Sequence, residues 1–211
     1  MGIPMRAPDD ALFTPTEAAV LTGLSLKAVN NAIDRNLVPT IVRPCAGDSI
    51  RLLDRRALLA LALEQRLASG FFPELRRRVF EALAASSHKV LSLEEGLVKI
   101  DLREPRRELA ASLRALRRAR AVVVSDPQIL GGDPVFRGTR VPVHSIATLM
   151  TQGSTESEIL RAYPRLTPEM IRLAPVYAQA YPLRGRPRKQ PWQDHPPLRH
   201  VRAPLPDLKM S

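Results

Sequence analysis

The residues whose types could do chemistry are few, and their spacing favours binding over catalysis. The four histidines are scattered along the chain at His88, His144, His195 and His200. Metal-site spacings such as H-E-x-x-H and C-x-x-C do not occur, and neither does a phosphate-binding glycine loop or a nucleophile elbow. We therefore predict that the chain is not an enzyme and has no catalytic residue, no metal ligand and no cofactor.

One group of polar residues has a spacing that suits the edges of DNA bases. The group comprises Ser25, Lys27, Asn30, Asn31, Asp34 and the adjacent Arg35. On a helix, residues 27, 30, 31 and 34 share one face, whereas Val29 and Ile33 share another that can pack. Asparagine can pair with adenine, while lysine and serine reach phosphate or guanine. The pattern predicts a DNA-recognition helix; the alternative is a pair of helices in an ordinary domain.

The elements that would position this face can be identified from their start and stop signals. After a polar leader, residues 14–17 (Thr-Pro-Thr-Glu) begin one helix, Gly23 breaks it, and Ser25 caps a second helix from Leu26 to about Arg35. Residues 37–53 alternate short β-branched stretches with Pro39, Pro44 and Gly47, which predicts a small hairpin or wing. On that wing, Arg43 and Arg51 are predicted phosphate contacts, with a solvated loop as the alternative.

Further along, caps and periodicity predict a succession of helices and hairpins. Helices are expected at 55–68, 73–85 and 106–119, with a hairpin of residues 90–93 and 97–102 between the last two. Residues 121–124 form a short strand, and residues 128–130 and 135–137 are expected to pair across the Gly131–Pro134 turn. Three helices follow, at 143–152, from a Thr155/Glu158 capping box to Tyr163, and at 168–180. We expect Pro175 to kink the last helix or end it early.

The basic character of the chain is confined to two segments. The net charge is +11, and residues 103–120 and 183–211 each hold 7 basic against 2 acidic side chains. The first segment could follow a DNA backbone, cover a dimer seam or form a solvated helix face. Arg137 and Arg140, near the helix ends, are expected to be structural.

The second basic segment, residues 183–211, is called here the arm. It has 6 prolines in 29 residues and no apolar periodicity, so it cannot build a core of its own. Its basic and aromatic residues are the predicted partner-binding set: Arg184, Arg186, Arg188, Lys189, Trp192, Arg199 and Arg202. Such a segment can wrap a partner protein, and the alternative is a tail that adds nonspecific affinity for DNA.

Composition also suggests the compartment. The only cysteine is Cys45, which fits a reducing cytosol. The longest uninterrupted apolar run, residues 57–63, is far shorter than the roughly 18 residues of a membrane span. The first residues lack the basic-then-apolar layout of a secretory signal. We therefore expect a cytoplasmic protein with no membrane partner.

A resemblance to a known family is carried by the block Gly131–Pro142 (GGDPVFRGTRVP), the helix after it, and the segment Tyr163–Pro168 (YPRLTP). Over about residues 121–181 the chain resembles the antitoxin domain known as domain of unknown function 433. The resemblance implies a short hairpin plus a three-helix, helix-turn-helix-like bundle that acts as antitoxin to a PIN-like ribonuclease toxin. The N-terminal unit and its wing resemble MerR-like domains, and the whole chain resembles a VapB-like antitoxin.

These observations predict a mainly α protein with small β-hairpins. The expected domains are a winged helix-turn-helix-like DNA-binding module (1–68), a linking region (69–120), the three-helix antitoxin domain (121–182) and the toxin-binding arm (183–211). PIN-like toxins are understood to hydrolyse RNA at carboxylates that bind magnesium, and an arginine of the arm could pair with those carboxylates.

We expect an antitoxin of a type II toxin–antitoxin system that neutralises its toxin and represses its own operator. Palindromic operators favour a homodimer, or a larger hetero-oligomer with the toxin. The alternatives are a transcription regulator or excisionase-like protein without a toxin, and a pure interaction adaptor. Which of the two helix-turn-helix-like units contacts DNA stays open at this point.

Overall fold

The computed structural model describes residues 11–45, 48–67, 73–85 and 89–183. Within them the chain is mainly helical with small antiparallel sheets, which confirms the expected fold class at that level. The helices are α1 (Pro15–Thr22), α2 (Leu26–Asp34), α3 (Arg55–Leu67), α4 (Pro73–Ala85), α5 (Arg103–Ala121), α6 (Val143–Thr151), α7 (Glu156–Ala162) and α8 (Pro168–Ala180). The strands are β1 (Leu12–Phe13), β2 (Ile41–Cys45), β3 (Asp48–Asp54), β4 (Val90–Leu93), β5 (Val98–Asp101), β6 (Val123–Val124) and β7 (Val135–Phe136).

The predicted starts of α1, α3 and α7 are confirmed by their caps, whereas α5, predicted to begin near Arg106, begins at Arg103. The Thr14 side chain accepts from the Glu17 amide while Glu17 accepts from the Thr14 amide, which closes a capping box on α1. A second capping box joins Thr155 and Glu158 at α7, and Asp54 accepts from the Ala57 amide at the start of α3. Each cap satisfies backbone donors that the first helical turn leaves unpaired.

A third strand joins the predicted hairpin of β2 and β3. The sheet order is β1-β3-β2, and Phe13 of β1 pairs with Leu53 of β3. The description of the first residues as a polar leader was therefore wrong at residues 12 and 13. A two-residue strand has no readable alternation, and it forms here because Phe13 is 2% exposed in the core beside a fully buried Leu53.

The hairpin predicted across Gly131–Pro134 was wrong, because residues 135 and 136 pair with residues 123 and 124 and not with residues 128–130. Strand β7 pairs with β6, with Val123 opposite Phe136, whereas Leu130–Gly132 form a tight turn. Leu130, Gly131 and Gly132 all have positive φ, which ends an extended strand. The strand that pairs with β7 is therefore β6, which lies just after α5 in the chain.

Pro175 does not end α8, which continues to Ala180. A proline inside a helix removes one backbone hydrogen bond. The loss is offset by packing, because α8 lies against α1, α5 and α6 and buries Ile171, Ala174 and Tyr177. The expectation of an early end was wrong because tertiary contacts override local preference.

The buried hydrophobic side chains of the described residues form two clusters. The larger draws on α1 to α5 and the first two sheets, from Phe13 to Leu116, and also includes Ala180 at the end of α8. The smaller is built on β6, β7 and α6 to α8 around Phe136, Ile146 and Ile171. Residues predicted as a linking region, such as Val79 and Leu102, lie in the first cluster with the N-terminal module. Within the described residues, every helix is too short or too polar to cross a bilayer.

Candidate nucleic-acid interface

Helices α1 and α2 are joined by a tight turn at Gly23. Its φ of 72° lies in the left-handed region, which glycine adopts without a Cβ penalty. Ser25 then accepts a hydrogen bond from the Ala28 amide at 3.1 Å and so begins α2. The two helices pack through Leu21, Val29 and Ile33, which are buried in the core. The predicted pair of helices and its packing face are thereby confirmed.

The opposite face of α2 is polar and open to solvent. Lys27, Asn31 and Asp34 are exposed, Asn30 is half-buried, and Ser25 and Arg35 are exposed at the two ends of the helix. Residues 27, 30, 31 and 34 share one face by helical spacing, and the capping residues Ser25 and Arg35 flank it at the two ends. These predicted residues are here called the α2 face: Ser25, Lys27, Asn30, Asn31, Asp34 and Arg35. The first turn of α2 contains no acidic residue.

The β2–β3 hairpin is tied to this surface by Arg51. Its guanidinium donates to Oδ1 of Asp34 at 2.6 Å and to Oδ1 of Asn30 at 3.5 Å. The contact fixes the hairpin against α2, although such an exposed pair contributes little to stability. Arg43 is exposed on the neighbouring strand. The phosphate contacts predicted for Arg43 and Arg51 stay predictions.

Between α1, α5 and the end of α8 lies a largely buried polar cluster that sequence reasoning missed. Oε1 of Glu17 in α1 accepts from the Tyr181 hydroxyl at 2.5 Å and from an Arg120 terminal nitrogen at 2.6 Å. Nε of Arg120 also donates to the Tyr181 hydroxyl, and the guanidinium lies 5.8 Å from the centre of the tyrosine ring. Glu17 is 1% exposed. We call Glu17, Arg120 and Tyr181 the junction cluster.

Tyr181 is held on its other side as well. Nε2 of His144 lies 2.8 Å from the Tyr181 carbonyl oxygen, and since a carbonyl can only accept, Nε2 carries the hydrogen. Burial, together with the neighbouring Glu17 carboxylate, raises the pKa of Tyr181, so the hydroxyl stays protonated and donates. The sequence signal for the cluster was slight: Glu17 is visible as a helix-capping acid, but nothing local indicates its two distant partners.

Several arginines of α5 are paired within the chain. Arg107 pairs with Glu104 at 3.0 Å, Arg118 with Glu169 at 2.6 Å, and Arg103 with Asp101 at 2.7 Å. The hydrogen bonds from Arg103 lower the pKa of Asp101 to about 2. Arg137 donates to the carbonyl of Ala121 at the end of α5, the structural role expected for it. The α5 segment therefore presents less positive charge than its composition suggests.

Helices α6 and α7 form a second pair that, like α1 and α2, has a glycine turn and a hydroxyl side chain as the cap of its second helix. Gly153, with φ of 95°, stands in the turn, and Thr155 caps α7 as Ser25 caps α2. The first turn of α7 carries Glu156 and Glu158. Hydrogen bonds from the Thr155 backbone and side chain lower the pKa of Glu158, which keeps it ionised. The two units thus differ in charge at the start of their second helix.

The predicted partner-binding residues of the arm, from Arg184 to Arg202, lie outside the described residues. Among the residues that are described, no group of three or more histidine, cysteine, aspartate or glutamate side chains could hold a metal ion.

The C-terminal part of the chain matches a known family model. Residues 123–178 match the family described as "Protein of unknown function (DUF433)". The resemblance inferred for about residues 121–181 is confirmed at the level of this family.

Two solved structures are similar to this chain. The crystal structure of a DUF433 member protein from Anabaena variabilis is 22% identical, with a TM-score of 0.28, and the match covers 53% of this chain and 91% of that one. The crystal structure of Rv2018 from Mycobacterium tuberculosis is 17% identical, with a TM-score of 0.31, and the match covers 79% of this chain and 97% of that one.

A curated relative is similar over most of the length of both proteins. The uncharacterized protein y4eO of Sinorhizobium fredii is 36% identical over 190 residues, which cover 84% of this chain and 85% of that protein. The chain therefore belongs to the same family as y4eO, and its residues 123–178 are a DUF433 domain.

Proposed function

We propose that this chain is a DNA-binding antitoxin. Its N-terminal unit binds operator DNA through the α2 face, with the β2–β3 hairpin as a wing, and its arm binds a PIN-like ribonuclease toxin. The observation that carries the DNA-binding part is the α2 face itself, a set of amide, ammonium and hydroxyl groups on the solvent side of a helix whose other side is fully packed.

Charge supports the N-terminal unit over the C-terminal one as the DNA reader. DNA presents a continuous row of phosphates, so a helix that enters a groove with acidic residues in its first turn meets repulsion. Helix α7 begins with two glutamates, whereas the first turn of α2 has none and carries Lys27. On this argument the α6–α7 unit serves contacts other than DNA.

The side chains of the α2 face suit the two kinds of DNA contact. Asn31 is exposed and can pair through both groups of its amide with an adenine in the major groove. Lys27 and Arg35, near the two ends of the helix, can reach phosphates on either side of the groove. Arg51 holds Asp34 and so screens the one acidic charge of this surface.

The toxin-binding part rests on the resemblance of the C-terminal domain to antitoxins and on the composition of the arm. Arginine forks are shaped to pair with the carboxylates of a magnesium-dependent nuclease, and a segment without core-forming periodicity can lie across such a partner. Coupled ordering of this kind binds a large surface at reduced affinity per unit area.

Two matched lysine variants test the DNA-binding part. Lys27 lies on the α2 face and Lys99 is exposed on β5, away from it. With the DNA fragment upstream of the gene, we expect Lys27→Ala to weaken binding and to reduce the slope of log affinity against log salt by about 1. Lys99→Ala should leave both unchanged. Fluorescence anisotropy at several salt concentrations measures this, and equal behaviour of the two variants would contradict the proposal.

Co-expression tests the toxin-binding part. We expect the product of the neighbouring gene to co-purify with this chain and to cleave RNA only after separation from it. A chain that binds the upstream DNA but retains no neighbouring gene product would instead be a transcription regulator.

A further inference from the structure

The junction cluster connects α1 of the N-terminal unit with Arg120 of α5 and with Tyr181 after α8, through the Glu17 carboxylate. Oε2 of Glu17 accepts from the Thr14 amide at 2.8 Å and caps α1, while Oε1 of the same group accepts from Tyr181 and Arg120. The carboxylate that begins the first helix of the DNA-binding unit is therefore oriented by residues 103 and 164 positions further along the chain. A change at Tyr181 or Arg120 reaches α1 directly.

The burial of the cluster makes this link strong. Glu17 is 1% exposed and the Arg120 side chain 19%, so the charges face each other with little screening by water. Removal of one partner leaves a buried charge unsatisfied, which is much more costly than the loss of a surface pair. Without Arg120 and Tyr181, Oε1 of Glu17 would be buried without these two donors, and this disfavours its present position although the Thr14 amide still holds Oε2.

The contact between Tyr181 and Glu17 also connects the residues next to the arm with α1, the helix on which α2 packs. Tyr181 directly follows α8 and precedes the exposed Leu183, after which the arm continues. At the other end, Glu17 sits in α1, which packs against α2, α5 and α8. Tyr181, two residues before the arm, thus contacts the helix that supports the DNA-binding surface.

We propose that the C-terminal domain regulates DNA binding through the junction cluster, in which Arg120 and Tyr181 are positioning residues that hold α1, and α2 packed upon it, in the DNA-binding arrangement. The inference rests on the proposed DNA-binding function. A partner that binds the arm and displaces Tyr181 removes the tyrosine hydrogen bond to Oε1 of Glu17, leaves Arg120 to hold that oxygen, and so weakens binding to DNA. The partner and the operator are thereby coupled within one chain.

Tyr181→Phe in the full-length chain tests this, because it removes one hydroxyl and keeps the ring. Tyr163→Phe is the matched control, since Tyr163 is half-buried in the same domain and lies outside the cluster. We expect Tyr181→Phe to weaken binding to the upstream DNA fragment and to speed amide hydrogen exchange in α1 and α2 about tenfold, the scale of losing a hydrogen bond to a charged group. Exchange in α6 and α7 should not change.

A double-mutant cycle separates positioning from general destabilisation. Glu17→Gln and Tyr181→Phe should each weaken DNA binding, and together they should weaken it by less than the product of the two effects, because both break the same contact. Arg120→Lys, which keeps the charge but not the two-sided contact, should behave like Tyr181→Phe.

Each outcome bears on one proposal or the other. Unchanged exchange in α1 and α2, or multiplicative effects on DNA affinity, would overturn the regulatory inference. A wild-type chain that binds no DNA would overturn the proposed function and this inference with it, and it would do so whatever the exchange rates of the variants.

Discussion

At the scale of single residues, a few side chains combine two tasks. Glu17 caps a helix and anchors the C-terminal domain, and Arg51 fixes the hairpin while it neutralises Asp34. Thr14 is the N-cap of α1 and Glu17 the third residue of its capping box, and an N-cap side chain contributes about 1 kcal/mol. Here the Glu17 carboxylate is buried and also accepts from Arg120 and Tyr181. Its removal therefore disturbs the contacts among α1, α5 and the end of α8.

The titration of Tyr181 gives a prediction with a definite sign. Its pKa is raised in the folded chain, mainly by burial and then by Glu17, so folded protein keeps the proton at pH values where unfolded chain has lost it. Stability from this group is complete below the unfolded tyrosine pKa of about 10 and falls as pH rises above it. Urea unfolding at pH 8 to 11 should show a smaller decline for Tyr181→Phe than for wild type. An equal decline in Tyr181→Phe and wild type would contradict the assignment.

At the scale of elements, short helices depend on the turns between them. Helices α1 and α2 have 8 and 9 residues, lengths at which an isolated helix is unstable in water. Their caps and the left-handed glycine between them therefore determine the angle at which the α2 face is presented. The same argument applies to α6 and α7 around Gly153.

Substitution of Gly23 tests that turn. A Cβ added there would meet nothing within 4 Å, so the effect of Gly23→Ala is conformational rather than steric. With φ of 72°, alanine should lower the free energy of unfolding by about 1–2 kcal/mol. Gly23→Asn should lower it by less, because asparagine tolerates this conformation. Urea denaturation followed by circular dichroism measures both, and a neutral alanine would show that the turn is not constrained as described.

At the scale of the whole molecule, charge is unevenly available to partners. The net charge is +11, yet arginines of α5 are paired with acids of the same helix or of α8. These pairs lower the charge that α5 offers to a polyanion, and under the proposed function the α2 face binds DNA and the arm binds the toxin. The two alternatives for the arm, toxin binding and nonspecific DNA affinity, differ in how salt should affect binding.

Neutralising the arm distinguishes those alternatives. If the arm binds the toxin, replacing Arg184, Arg186 and Arg188 by serine abolishes inhibition of the ribonuclease and leaves the salt dependence of DNA binding unchanged. If the arm binds DNA, the slope falls by about 0.9 for each phosphate that the arm no longer neutralises. The double variant Arg107→Gln, Arg118→Gln is the control for general loss of charge. A retained inhibition with a reduced slope would contradict the toxin-binding arm.

The sequence by itself determined the local elements, because their signals act over three or four residues. The Thr14, Ser25 and Thr155 caps, the Gly23 turn and the β2–β3 hairpin were all readable, and with them the residues of the α2 face. The family resemblance of the C-terminal domain was readable for the same reason, since its motif is continuous in the chain.

Only the tertiary structure decided which distant residues meet. Strand β1 exists because Phe13 fits beside Leu53, and α8 continues through Pro175 because α1, α5, α6 and α7 pack on it. Glu17 contacts Arg120 and Tyr181 because α1, α5 and α8 converge. Contacts between residues more than a hundred positions apart leave no local pattern. They follow from burying the apolar faces together, which is a property of the folded chain as a whole.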